Sequence, residues 1–98
     1  YQIIKCNFRT KLGEIDIIAQ DKDTICFVEV RTKTTPEEGH PLESISLHKC
    51  RKLTQAAWCY LKEKDLTEAP ARFDIVAVVP LEDGEYKTEL VKNAFEAE

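Results

Sequence analysis

The first third of the chain alternates apolar and polar residues, and the middle changes period. Residues 1–9, YQIIKCNFR, mix β-prone and polar positions and predict a strand, followed by a turn at TKLG, residues 10–13. EIDIIA (14–19) and TICFVEVRTK (24–33) predict two more strands around QDKD, a polar connection of hairpin length. TTPEEGHP (34–41) carries two Pro and one Gly, shows no periodicity and predicts a loop. From Leu42 to Asp65 the spacing becomes helical: Ile45, Leu53, Ala57, Tyr60 and Leu61 fall on one apolar stripe, with Lys49, Lys52 and Lys62 off it. RFDIVAVVP (72–80) is an almost unbroken apolar run, the pattern of a strand buried on both faces. EDGE (82–85) predicts a turn, YKTELV (86–91) a short last strand, and KNAFEAE (92–98) a tail.

Three antiparallel strands, a helix, a strand and a short last strand make an α/β domain with a central mixed sheet. The helix carries the chain over to a parallel neighbour. The 98 residues suffice for one core and not for two, so the whole chain, 1–98, reads as a single domain.

Composition narrows the class. With 43% hydrophobic and 33% charged residues the chain is ordinary for a globular protein. No apolar run approaches the ~20 residues that a membrane helix needs, and nothing resembles a secretory signal. No Met is present, so the chain is expected to begin downstream of a natural start codon. Cys6, Cys26, Cys50 and Cys59 form no CxxC pair and share no zinc spacing with His40 or His48. They read as reduced, mostly buried thiols of a cytoplasmic protein. A net charge of −4 argues against a polyanionic partner until its distribution is considered. Six acids and two lysines lie in residues 80–98, which leaves twelve acids and twelve bases in the remainder. That remainder has the charge to present a basic face.

Two acids interrupt the hairpin strands. A loop at Lys22-Asp23 sets a ladder in which paired residue numbers sum to 45, placing Asp16 opposite Glu29 and Glu14 opposite Arg31. Opposed residues share a face, with Cβ atoms about 4.5–5.5 Å apart. Glu14–Arg31 reads as a cross-strand salt bridge. Asp16 opposite Glu29 is different, because like charges directly opposed are destabilising and burial raises a carboxyl pKa. The strain is relieved by a shared proton, by the flanking Arg31, or by a divalent cation bound through oxygen. The plain structural alternative is a wet sheet face on which both acids point into water.

NFRTKLGEIDIIAQDKDTICFVEVRTKT, then HKCRKLTQAAWCYL, ARFDIVAVV and NAF together resemble the small bacterial YraN-like proteins. That family is placed in the PD-(D/E)xK, restriction-endonuclease-like superfamily, alongside archaeal Holliday-junction resolvases. The resemblance covers essentially the whole chain and rests on G-E-I-D, F-V-E-V-R and R-F-D in combination. It implies a three-layer core, with a central mixed sheet flanked by helices. It also implies a Mg²⁺ or Mn²⁺ site formed by Asp16, Glu29 and the backbone carbonyl of Val30, with Arg31 standing where the motif has Lys. Family members carry an N-terminal helix that this chain lacks, so another segment or another subunit is expected to cover one sheet face.

In this reading the protein is a metal-dependent endonuclease acting on DNA, branched or damaged, with Asp16, Glu29 and Arg31 as catalytic residues. Arg31, Lys33, Lys49 and Lys52 line the phosphate path, and a homodimer suits a branched substrate. The competing reading is a nucleic-acid-binding or assembly protein that keeps the fold without the chemistry. Arg31 favours it, because a guanidinium does not exchange a proton near neutral pH as a lysine does. Elsewhere the bland reading prevails. Arg51 is solvated, Arg72 and Asp74 form a partly buried ion pair, Trp58 and Tyr60 belong to the core and its margin, and His48 has no catalytic role. The loop 34–41 reads equally as a flap over substrate or a plain surface loop.

Overall fold

The computed structural model describes residues 1–32 and 45–97. Lys33, the loop 34–41 and the expected start of the helix at 42–44 lie outside the described residues. The elements are β1 (Gln2–Arg9), β2 (Glu14–Asp21), β3 (Thr24–Thr32), α1 (Leu47–Glu63), β4 (Ala71–Pro80) and β5 (Tyr86–Phe95). They form one five-stranded sheet in the order β1-β2-β3-β4-β5. Only β3 and β4 run parallel, and α1 is the crossover between them.

Two boundaries differ from the sequence expectation, each for a local reason. The helix begins at Leu47 rather than near Leu42, because Ser46 is extended and its hydroxyl accepts the Lys49 N–H at 3.1 Å, capping the first turn. The last strand is ten residues long and not short. Asn93, with φ 51°, turns through a register shift and lets β5 continue to Phe95, whose ring stacks on Phe73 at 4.7 Å. Asn tolerates this left-handed backbone better than most residues.

Alternation along the strands sorts their side chains onto two faces. Ile18, Ile25, Phe27 and Phe73 face α1, where Leu53, Ala57, Tyr60 and Leu61 complete the main core. Phe8 and Phe27 meet the Tyr60 ring edge-on, with centroids 5.4 and 6.1 Å away. Each such large side chain contributes about 1.5–3 kcal/mol by its removal from water. Tyr60 is therefore core, whereas Trp58 remains 44% exposed. The opposite face carries Ile17, Ala19, Cys26, Val28 and Val76, and no described element covers it. Ile3 and Leu90 beside it are 60% and 47% exposed. Among the described residues the fold thus has two layers, a sheet and one helix. Strand β4 is fully buried on the helix side at Ile75, Ala77 and Val79 and only half-buried at Val76 and Val78.

The approach of α1 to the sheet is set by Gly13. A Cβ at this position would lie 2.6 Å from the Lys52 carbonyl oxygen, inside contact distance. Glycine at the end of the β1–β2 turn therefore lets the first half of α1 settle over the start of β2.

Candidate functional site

The β2–β3 ladder follows the expected register from Asp21↔Thr24 to Ile17↔Val28 and ends there. β2 continues to pair with β1 as far as Glu14, so the sheet opens between β2 and β3 at Asp16. At the opening, the Asp16 carboxylate accepts the Val30 N–H through Oδ2 at 2.8 Å, in place of a strand carbonyl. Glu29 has its backbone held by the parallel register with Ile75 and its side chain on the α1 face, 4% exposed.

The two carboxyl groups meet on that face. Burial first, then the hydrogen bond with Asp16 and the Asp16 charge, push the Glu29 pKa up to about 7, against the pull of Lys49 and Arg31. Lys49 Nζ lies 3.6 Å and Arg31 Nη1 3.7 Å from Glu29 Oε2. Lys49 reaches Glu29 because the close approach at Gly13 sets the first turns of α1 above it. The arrangement is a buried Glu29 that holds a proton up to about pH 7, beside a half-buried Asp16 and flanked by two cations. It has the hard oxygen donors that suit Mg²⁺ or Mn²⁺, yet no group of three or more His, Cys, Asp or Glu occurs among the described residues. Two carboxylates are compatible with Mg²⁺, which commonly keeps several waters and takes further oxygens from a phosphate.

The residues singled out in the sequence divide accordingly. Asp16, Glu29, Val30, Arg31 and Lys49 come together. Lys52 lies one turn along α1, in an adjoining cleft lined by the β1–β2 turn. Lys33 is outside the described residues. The expected Glu14–Arg31 bridge is replaced by Arg9–Glu14 at 3.5 Å across β1–β2, and Arg31 turns to Glu29. Opening of the ladder beyond Ile17 separates the positions that a continuous register would have opposed. The contact between the Val30 amide and Asp16 is not legible in the sequence, since the register alone assigns that amide to a strand carbonyl.

A second polar cluster occupies the other face at the other end of the strands. Arg72 Nε donates to both Asp74 carboxylate oxygens at 3.0 and 3.2 Å, and its Nη2 donates to Asp21 at 2.9 Å and to the Tyr1 hydroxyl at 2.6 Å. Tyr1 donates in turn to Asp74 at 2.7 Å, and the Asn93 N–H at the β5 bulge donates to Asp74 at 2.9 Å. Hydrogen bonds to Asp21 and Asp74 hold the Arg72 guanidinium above its ordinary value, and the Arg72 bond lowers Asp21. The Arg72–Asp74 pair expected from the sequence is thus the centre of a five-residue network that joins β1, β2, β4 and β5. No helix among the described residues is long and apolar enough to cross a membrane.

Comparison with known proteins finds relatives somewhat longer than this chain. It is 47% identical over 97 residues to a UPF0102 protein of Desulfosudis oleivorans, covering 99% of this chain and 76% of that protein. It is 45% identical over 96 residues to a UPF0102 protein of Geotalea uraniireducens, covering 98% and 76%. It is 43% identical over 98 residues to one from Lachnoclostridium phytofermentans, covering 99% and 79%. The model of the uncharacterised protein family UPF0102 matches residues 1–78, so the chain belongs to that family, the YraN-like proteins.

Proposed function

We propose that this protein is a metal-dependent endonuclease that hydrolyses phosphodiester bonds of DNA and that its sheet and helix are the core of a PD-(D/E)xK, restriction-endonuclease-like fold. The observation that carries the reading is the Asp16–Glu29 pair. Two acidic side chains from neighbouring strands converge, one buried and one half-buried, and a structure has no reason to bear that repulsion unless a cation or proton relieves it. Bound Mg²⁺ or Mn²⁺ supplies an activated water and charge neutralisation at phosphorus. Asp16 and Glu29 would hold the cation, and the Val30 carbonyl would complete the protein's donors. Glu29 must release its proton first, so occupancy rises with pH through about 7. Arg31 and Lys49 then have a phosphate rather than a bare carboxyl to neutralise. Lys52 adds charge along the DNA strand's path.

A second reading rests on the same two cations. Lys49 and Arg31, both within 3.7 Å of Glu29 Oε2, already compensate the acid without any metal. A nucleic-acid-binding or assembly protein with a silent site accounts for them equally. The test titrates Mg²⁺ or Mn²⁺ into wild type and an Asp16→Asn/Glu29→Gln variant, and both are assayed on duplex, flapped and four-way-junction DNA. Metal-dependent cleavage by wild type alone is expected. Cleavage that survives the double substitution overturns the mechanism, and metal binding without cleavage of any substrate selects the second reading.

A further inference from the structure

The cleft beside the acid pair has a charge that the pair itself does not explain. Its volume is about 450 Å³, and it lies between the β1–β2 turn and the first two turns of α1. Arg9, Lys11, His48, Lys49 and Lys52 line it, against the single acid Glu14. The chain as a whole is net acidic, at −4, so this concentration of cations is local and not a reflection of composition.

The turn that carries Lys11 is closed by hydrogen bonds to Thr10 and Gly13. The Thr10 hydroxyl accepts the N–H groups of Leu12 and Gly13 at 3.0 and 3.1 Å and donates to the Gly13 carbonyl at 3.0 Å. The Thr10 N–H donates to the same carbonyl at 2.9 Å. The amides of Thr10, Leu12 and Gly13 are therefore engaged, and the cleft offers an anion chiefly side-chain charge. Lys11 and Lys52 have no carboxylate partner among the described residues. Arg9 has Glu14 at 3.5 Å, but both side chains are more than half exposed, and such a pair is worth under about 1 kcal/mol. A phosphate competes easily with it. Lys49 belongs to both places, since it lines the cleft and lies 3.6 Å from Glu29. Lys49 thus links the cleft to the acid pair.

We infer that the β1–β2 turn and the start of α1 form a track for the phosphodiester backbone of DNA, leading away from the Asp16–Glu29 pair, with Arg9 and Lys11 as its outer contacts. Successive phosphates neutralise Lys49 at the inner end, then Lys52, then Lys11 and Arg9. The inference rests on the nucleic-acid reading of the acid pair and extends it to residues of a different element. Because it concerns binding, it predicts a salt dependence that is independent of any metal.

The experiment measures binding of a fluorescein-labelled DNA duplex by anisotropy across a salt series, in EDTA, on the Asp16→Asn/Glu29→Gln background. Arg9→Ala/Lys11→Ala is expected to weaken binding roughly tenfold and to lower the slope of log affinity against log salt by about 1–2, near 0.9 for each phosphate no longer neutralised. Lys62→Ala/Lys64→Ala, at the far end of α1, should move neither quantity. Equal affinity and slope in the Arg9/Lys11 variant, or no DNA binding by the parent, overturns the track. Cleavage is read separately on the unsubstituted acid pair. Cleavage with an inert Arg9/Lys11 substitution sinks the track and leaves the nuclease reading standing. Salt-dependent binding through Arg9 and Lys11 without cleavage does the reverse.

Discussion

Of the three acids on β2, Asp16 and Asp21 have opposite fates. Asp21 joins Asp74 around Arg72, where each carboxylate meets a cation directly and Tyr1 and the Asn93 amide bind Asp74 as well. Asp16 joins Glu29, where acid meets acid and the nearest cations stand off at 3.6 and 3.7 Å. The first cluster is complete in itself and reads as a clasp for four strands. The second sets acid against acid at the place where the β2–β3 ladder opens. Burial alone does not distinguish them, since Asp74 is 1% and Glu29 4% exposed. The charge they meet does: Asp74 faces a guanidinium at hydrogen-bond distance, and Glu29 faces another acid.

The comparison is broken or sharpened by four measurements. The largest effect belongs to the clasp: Asp74→Ala leaves Arg72 with Asp21 as its one remaining carboxylate and deprives the Asn93 amide and the Tyr1 hydroxyl of their acceptor, and should cost about 3–5 kcal/mol in urea unfolding. A loss below about 1 kcal/mol would show that the clasp is ornamental. The next concerns pH. Glu29 holds a proton in the native state up to about 7, whereas its ordinary value is 4.5. The unfolded chain has released that proton by then, so the native state gains stability below about pH 4.5 and loses it as pH rises through 7. The full loss is on the order of 3 kcal/mol. Glu29→Gln should lack this slope between pH 4.5 and 8, and added Mg²⁺ should restore wild type at pH 8; parallel slopes in the two proteins would refute the assignment. Gly13→Ala comes third. Its new methyl meets the Lys52 carbonyl, and overpacking of this kind costs about 1–3 kcal/mol. Displacement of α1 should also weaken Lys49's influence and shift the pH dependence of Glu29. Smallest is Glu14→Ala, which removes only the exposed partner of Arg9 and should change stability by less than about 1 kcal/mol in the same unfolding assay.

Much of this architecture is legible in the residue pattern, and the exceptions have physical causes. The hairpin register follows from the two-residue loop at Lys22-Asp23, and the helix stripe at Leu53, Ala57, Tyr60 and Leu61 follows from spacing. Trp58 and Tyr60 separate into margin and core because only Tyr60 lies within that stripe. The length of β5 is not legible, because a bulge at Asn93 breaks alternation and KNAF then looks like a tail. A salt bridge between Glu14 and Arg31 requires the ladder to run to its end. It stops at Ile17↔Val28, and no local sequence signal announces where a sheet will open. The expected rung between Asp16 and Glu29 also lies past that end and does not form, although their side chains still meet, and the arrival of Lys49 from α1 is a tertiary fact. It depends on the clearance at Gly13, a residue whose importance lies in an atom it does not have.

The amide held by Asp16 has a practical meaning. A side chain that stands in for main chain at a seam is interchangeable with any other that presents a carbonyl at the same reach. Asparagine does so and aspartate's charge is then gone, while alanine leaves the Val30 amide unanswered. At this position, architecture and reactivity come apart through the exchange of one oxygen for one nitrogen.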